Sequence, residues 1–316
     1  MKSASLIIGL SVVIVATDGG VPCVLVTRRE GHVSALPFGA FDPVHHRTFE
    51  LALRGWVREQ TGFDLGYVEQ LYTFGDRDRE TPEATFAEAH PDARVVSVGY
   101  LGLTPDQQRL PEMLEATWRG WYSLFPWEDH RGSRPTIIDQ QIAPRLKTWA
   151  AGNESRQSRA NLAFGLDGQD WIDDRVLERY ELLYEAGLVT ECARDAGLPL
   201  PDIKLGEPMA SDHRRILATA MSRLRGKIRY RPVVFELMPD RFTLSALQAT
   251  CEGILGQELH KQNFRRSLDR SDLVEGTGEL MSETGGRPAE LFRFKREKLR
   301  RSAALGISTP SIRRES

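Results

Sequence analysis

The sequence predicts an α+β protein in which strands and one helix come first, a helical insert follows, and a winged helix-turn-helix closes the chain. Three observations carry that expectation. The apolar runs LIIGLSVVIVA (6–16) and VPCVLVTRR (21–29) flank the turn pattern TDGG (17–20), as the two strands of a hairpin would. From Asp212 onward the patterns run helix, strand, helix, helix, strand, turn, strand, which is the order of a winged helix. Residues 210–316 hold 21 Lys and Arg against 13 Asp and Glu, whereas 1–209 hold 21 against 31, so a net charge of −2 conceals a basic C-terminal third.

A chain of 316 residues has room for two or three domains with their own cores. The first apolar run has only 11 residues, is preceded by Lys2 alone and lacks a small-residue cleavage site, so neither a membrane span nor a signal peptide is expected. Cys23, Cys192 and Cys251 lie far apart without metal-ligand spacing and read as reduced, buried thiols of a cytoplasmic protein.

Residues 36–63, LPFGAFDPVHHRTFELALRGWVREQTGF, resemble a Nudix box that has lost most of its acids. A working box needs several carboxylates converging on one helix face, to hold the magnesium ions that bridge a diphosphate and activate water. With Gly62 aligned to the terminal glycine, the positions for acids and arginine read Arg47, Gly55, Trp56, Glu59 and Gln60; only Glu59 survives. A register shifted by one, to use Arg54, places Arg58 and Glu59 at the paired acids and Thr61 at the glycine. Glu50, nine residues before Glu59, falls on the opposite side of the helix at roughly 100° per residue. No metal, no cofactor and no catalytic residue are therefore expected, while Phe49, Leu53 and Val57 are spaced for a core.

YVEQLYTFGDRDR (67–79) followed by ARVVSVGYLGL (93–103) closely resembles the Nudix domain of NrtR-type transcriptional regulators. That resemblance implies an α/β/α sandwich over about the first 130 residues, sensing ADP-ribose or a related NAD metabolite. Tyr72 and Phe74 offer stacking faces for an adenine, and Gln70 and Arg79 can reach diphosphate or ribose oxygens. Phe38, Glu59 and Asp76 complete the expected effector site. The stretch RDRETPEATFAEAHPD is longer and more acidic than in compact members of that family.

WRGWYSLFPWED (118–129) resembles the closing elements of a Nudix domain. About 80 residues then intervene, where compact regulators have a short linker. Within this insert, Asp173 or Asp174 is placed to cap a helix with Leu177, Tyr180, Leu183, Tyr184 and Leu188 on one stripe. That stripe is expected to pack against a helix within 136–151 or against a partner subunit. GLPLPDIKLGEPMAS (197–211) reads as a linker.

In the basic third, DHRRILATAMSRLRGKIRY is a helix with Ile216, Ala220 and Leu224 on one stripe, and RPVVFELMP (231–239) is a short strand. Thr243 caps the next helix, in which Leu244, Leu247, Cys251 and Ile254 face inward and Gly256 is the stop. In HKQNFRRSLDRSDL, Phe264 and Leu268 anchor a helix whose Lys261, Gln262, Asn263, Arg265 and Arg266 suit a major groove. Strands near Val274 and at LFRF (291–294) enclose ETGGRP, where Arg287, stiffened by Pro288, sits at a wing tip fit for a narrow minor groove. NFRRSL and GGRPAELFRF also resemble the DNA-binding domain of NrtR-type regulators.

The expected divisions are 1–130 for the sensor, 131–210 for insert and linker, 211–296 for the winged helix, and 297–316 for a basic tail adding phosphate contacts. The resemblance implies a homodimeric regulator, a repressor by expectation, that binds a partly palindromic double-stranded DNA operator of NAD synthesis or salvage genes and releases it on ADP-ribose. The alternative left open is a Nudix hydrolase of ADP-ribose, or of a related nucleoside diphosphate derivative, that carries an accessory DNA-binding domain.

Overall fold

The computed structural model describes residues 6–28, 33–76, 79, 93–105, 116–281 and 288–296. Strand β1 (Leu6–Asp18) is the spine of the N-terminal sheet. It pairs antiparallel with β2 (Val21–Arg28) across the tight turn at Gly19 and Gly20, both at positive φ. The sheet continues through β3 (Ser34–Ala35), β4 (Phe38–Ala40), β5 (Tyr67–Phe74), β6 (Arg94–Leu103) and β7 (Ala116–Gly120). Its order is β3-β2-β1-β6-β5, with β4 pairing β1 and β7 pairing β2; β1 and β6 run parallel, Leu6 opposite Arg94 through Val15 opposite Leu103.

Alternation along β1 sorts its side chains to two buried faces. Leu10, Val12 and Ile14 pack with Ala52, Leu53 and Val57 of helix α1 (Phe49–Thr61). Thr48 starts α1 by accepting the Leu51 N–H, and Gly62, at φ 68°, ends it. On the opposite face Val13 and Val15 join a larger core. Its helices are α2 (Trp121–Leu124), α3 (Ala143–Trp149, entered through a π-helical turn), α4 (Glu154–Phe164), α5 (Val176–Glu185), α6 (Thr190–Ala196) and α7 (His213–Ile228). After a 3-10 turn (Val233–Leu237) come α8 (Leu244–Leu255), α9 (Lys261–Ser271) and the hairpin of β8 (Val274–Met281) with β9 (Ala289–Phe294).

Helix α7 lies against β1, β5 and β6, burying Ile216, Leu217, Ala220, Met221 and Leu224. It is the second helical layer of an α/β/α sandwich, so the sandwich is closed by a segment that follows the insert by sequence. The same core runs on without a break through Tyr180 and Leu183 of the insert to Leu247, Ile254, Phe264 and Leu268 of the C-terminal helices. The fold is thus α+β: a two-faced sheet, a helical insert, and a winged helix in which α8 and α9 precede the β8–β9 wing.

Three local expectations are corrected. RPVVFELMP is not a strand but a 3-10 turn, because Val233, Val234, Phe235 and Leu237 all turn inward and leave no alternation; the third wing strand shrinks to one bridge, Phe242 with Phe292. Neither Asp173 nor Asp174 caps α5, since both carboxylates engage Arg229 and Arg175 stands at the cap without a side-chain bond. The stripe of α5 is covered chiefly by α7 and α4, not by 136–151. Thr243 does cap α8, accepting the Ala246 N–H at 3.1 Å, and Gly256 does stop it at φ 68°. Cys23 and Cys251 are buried thiols outside any disulfide, and Cys192 is likewise unbridged but only half-buried. No helix of the described residues is long and apolar enough to cross a membrane.

Candidate functional site

Helix α9 (Lys261–Ser271) segregates its apolar and polar side chains to opposite faces. Phe264 and Leu268, 1% and 0% exposed, pin one face to the core. Lys261, Gln262, Asn263 and Arg266 are exposed on the other side, and Arg265 is half-buried. Among the described residues, Lys261, Arg266 and Arg270 have no carboxylate within ion-pair distance, whereas the cations around the wing do: Arg241 pairs with Glu279, Arg293 with Glu275 at 2.6 Å and Lys295 with Asp272 at 2.5 Å. Unpaired cations and amides on one rigid face are what a phosphate-lined groove requires. Arg287 and the 297–316 tail lie outside the described residues; Pro288 is exposed at the start of the wing's second strand.

The turn between α8 and α9 is held by the sandwich. Helix termini leave carbonyls without intrahelical partners. Here the Tyr122 hydroxyl donates to the Gly253 carbonyl at 2.6 Å, Arg225 Nε to that of Ile254 at 2.8 Å, and the His130 N–H to that of Gly256 at 2.8 Å. The approach needs glycine: a Cβ at Gly253 would lie 1.8 Å from the Gly20 carbonyl oxygen, and one at Gly256 would lie 2.4 Å from that of Glu128.

Behind this turn sits a sealed ionic cluster. Glu128, Arg179 and Arg225 are each 0% exposed. Arg179 grips Glu128 with two bonds of 2.6 and 2.9 Å, and Arg225 adds a third at 2.6 Å. The remaining donors reach the carbonyls of Ala163, Ile172, Asp173, Ile254 and Glu128 itself, so every nitrogen of both guanidiniums has an acceptor. Burial raises the Glu128 pKa, but the two guanidiniums outweigh it and hold the carboxyl below its usual range. The glutamate comes from the segment after β7, Arg179 from the insert and Arg225 from α7, so one carboxylate ties three parts of the chain together.

Helix α1, whose sequence resembles a Nudix box, is differently furnished. Glu59 is exposed, and Glu50 is occupied by Arg54 at 2.9 Å, which also reaches the carbonyls of Leu65 and Gly66. Gln60 clamps Phe38, accepting its N–H at 3.1 Å and donating to its carbonyl, while Trp56 Nε1 donates to Ala40. Positions where a hydrolase carries acids therefore fasten the loop before the helix. Among the described residues no group of three or more His, Cys, Asp or Glu is placed to hold a metal.

The other expected effector residues divide by burial. Gln70 is exposed, Tyr72 is 62% exposed, and Phe74, 2% exposed, meets Tyr72 edge to face at 5.5 Å. Phe38 is buried too, leaving Tyr72 as the open aromatic face. Asp76 is bonded by Arg215 Nη1, and that bond leads the effects that lower its pKa. Arg79 is 8% exposed, stacked 3.6 Å over the Tyr184 ring, with Nη1 at 3.2 Å from Glu181 and Nε at 3.7 Å from Asp212. Arg215 shares the same acids, 2.7 Å from Glu181 and 3.0 Å from Asp212. Burial disfavours the charge of Arg79, yet Asp212 and Glu181 more than compensate and its pKa is raised. Burial raises that of Asp212, against the pull of both arginines. Of this cluster the sequence analysis names Asp76 and Arg79 as expected effector residues but not Glu181, Asp212 or Arg215, because only tertiary contact joins residues more than 100 positions apart.

A sandwich with its sheet covered on both faces is thus joined to a winged helix whose α9 presents cations without acidic partners among the described residues. Residues 234–294 match the family model described as the NrtR DNA-binding winged helix domain. The ADPR responsive transcriptional repressor NtrR of Acinetobacter baylyi is 44% identical over 86 residues, which are 27% of this chain and 34% of that relative, so the match spans about a third of its length. Among solved structures, Shewanella oneidensis NrtR complexed with a 27mer DNA shares the fold with a TM-score of 0.58 at 18% identity, covering 96% of this chain and 99% of that one. A MutT/nudix family protein from Enterococcus faecalis aligns with a TM-score of 0.54 at 17% identity over 93% and 88%.

Proposed function

We propose that this chain is a DNA-binding transcriptional regulator, a repressor of NAD synthesis or salvage genes, whose Nudix-type sandwich senses ADP-ribose without hydrolysing it. The observation that carries the reading is the cationic face of α9, free of acidic partners among the described residues, in a winged helix of the NrtR type. The repressor of Acinetobacter to which the chain is similar and the DNA in the Shewanella complex support the same reading. The box helix supports binding over turnover, because its polar groups fasten Phe38, Leu65 and Gly66 instead of converging on a dication. Residues 6–130 with 211–229 form the sensor in this proposal, 131–210 the insert, and 232–296 the reader, acting as a homodimer on a two-fold operator.

The test uses the purified full chain and duplexes selected from a random library. Wild type binds a selected duplex, and added ADP-ribose weakens that binding. Arg266→Ala lowers affinity about tenfold and reduces the dependence of log affinity on log salt by about one unit if it neutralises a phosphate. Arg265→Ala, if Arg265 reads a base, costs about 1 to 3 kcal/mol and relaxes the selected sequence at one position. Incubation with magnesium or manganese leaves ADP-ribose intact. Turnover abolished by Glu59→Gln would instead establish the hydrolase alternative.

A further inference from the structure

Helix α5 belongs to the insert, yet both ionic clusters are built on it. Arg179 is sealed against Glu128 at the end nearer the α8–α9 turn, and Glu181 with Tyr184 holds Arg79 and Arg215 beside Asp76 and Phe74 at the end nearer the sheet edge. The two clusters differ in how completely their donors are used. At Glu128 every guanidinium nitrogen of Arg179 and Arg225 has an acceptor. At the sheet edge Arg79 Nε and Nη2 are buried without a hydrogen-bond partner although the side chain is only 9% exposed, and Arg215 Nε lies 2.7 Å from Glu181 without hydrogen-bond alignment.

One carboxylate has two oxygens, whereas two guanidiniums offer ten N–H donors, so Glu181 cannot saturate the pair. A diphosphate brings more oxygens and a second charge, and planar guanidiniums donate to phosphate oxygens two at a time. Asp76 and Asp212 stay behind when Glu181 leaves, and they keep the arginines placed. Glu181 is 32% exposed by side chain, so it can swing out to water.

Resting on the sensor reading above, we propose that Glu181 is a built-in competitor for the effector's diphosphate at the Arg79–Arg215 pair, and that its displacement shifts α5 and thereby the α8–α9 turn. The path from the arginines to the reader is short. Arg179 is two residues from Glu181 on the same helix, Glu128 joins it to Arg225, and Arg225 bonds the Ile254 carbonyl just ahead of the recognition helix. A ligand moves such an equilibrium only by its differential affinity for the two arrangements, and competition with Glu181 supplies that difference.

The experiment compares wild type, Glu181→Gln and Glu185→Gln as full chains. Glu185 lies one turn further along α5 and pairs with Arg159 at 2.5 Å, outside the cluster, so it controls for a general loss of negative charge. Calorimetric titration with ADP-ribose, and separately with inorganic pyrophosphate, is expected to give a Kd at least fivefold lower for Glu181→Gln than for wild type and an unchanged Kd for Glu185→Gln. Without effector, Glu181→Gln is expected to bind a selected duplex at least threefold more weakly than wild type. Wild-type binding of ADP-ribose with an equal or higher Kd in Glu181→Gln, or with equal DNA affinity, overturns the proposal while leaving the sensor intact. No binding of either probe by wild type overturns the sensor reading, and this proposal with it.

Discussion

The Glu128 cluster and the Arg79–Arg215 cluster use the same chemistry to opposite ends. Both place carboxylates among arginines from distant parts of the chain. Glu128, Arg179 and Arg225 are 0% exposed and fully bonded, whereas Glu181 is 32% exposed and Asp76 54%, and donors there remain idle. Desolvating charge is expensive, and only complete hydrogen bonding offsets it. A saturated cluster is therefore a fixed joint, while an unsaturated, half-open one can exchange a protein carboxylate for a ligand's oxygens. Helix α5 joins a fixed joint to an exchangeable one.

The comparison breaks first at Glu128. Glu128→Ala leaves two buried guanidiniums without their counter-charge, and the expected loss is about 3 to 5 kcal/mol, read from urea midpoints at pH 7.5. An effect under about 1 kcal/mol would mean the cluster is hydrated and no joint at all. Next in size is Gly253→Ala. Its new methyl would press on the Gly20 carbonyl, so α8 must shift off the hairpin turn at about 1 to 3 kcal/mol. Weaker DNA binding is expected alongside, because α9 follows directly. Unchanged stability with unchanged DNA affinity would show that the docking of α8 does not position the reader.

Glu181→Gln sharpens the contrast from the other side. A partly exposed ion pair contributes little after screening, so the expected stability change is within about 1 kcal/mol, several times smaller than at Glu128. A loss as large as that of Glu128→Ala would make both clusters structural.

How much of this was legible beforehand follows from sequence separation. The hairpin, the Thr243 cap, the Gly256 stop and the Phe264–Leu268 anchor are local patterns, written within a few residues, and the structure has them. The 3-10 turn at Val233–Leu237 was misread because a short apolar run between Pro232 and Pro239 satisfies a strand template while tertiary burial on every side removes the alternation. Helix α7 could be recognised as a helix, but not that it completes the sandwich, since periodicity shows a stripe and not its partner. Arg179, Arg214 and Arg225 could not be found inside by any pattern. An arginine is an exposed residue until a carboxylate from elsewhere meets it, as Glu191 meets Arg214 at 3.3 Å from 23 residues away.

A pH dependence is also expected at the edge of the fixed joint. The His130 and Trp171 ring centroids lie 3.9 Å apart, and burial, which outweighs the favourable charge of Glu128, pushes the His130 pKa down from 6.5 to about 4. The folded protein thus prefers the neutral imidazole, whereas the unfolded chain takes up a proton near its ordinary pKa. The contribution is fully present above about pH 6.5, drains away as the pH falls from there to about 4, and changes no further below. Urea midpoints measured between pH 7.5 and 4.5 should fall more steeply in wild type than in His130→Gln, which keeps the backbone bond to Gly256 and cannot titrate. Parallel curves would place the imidazole in water, and the joint that clamps the α8–α9 turn would then be open on the Trp171 side.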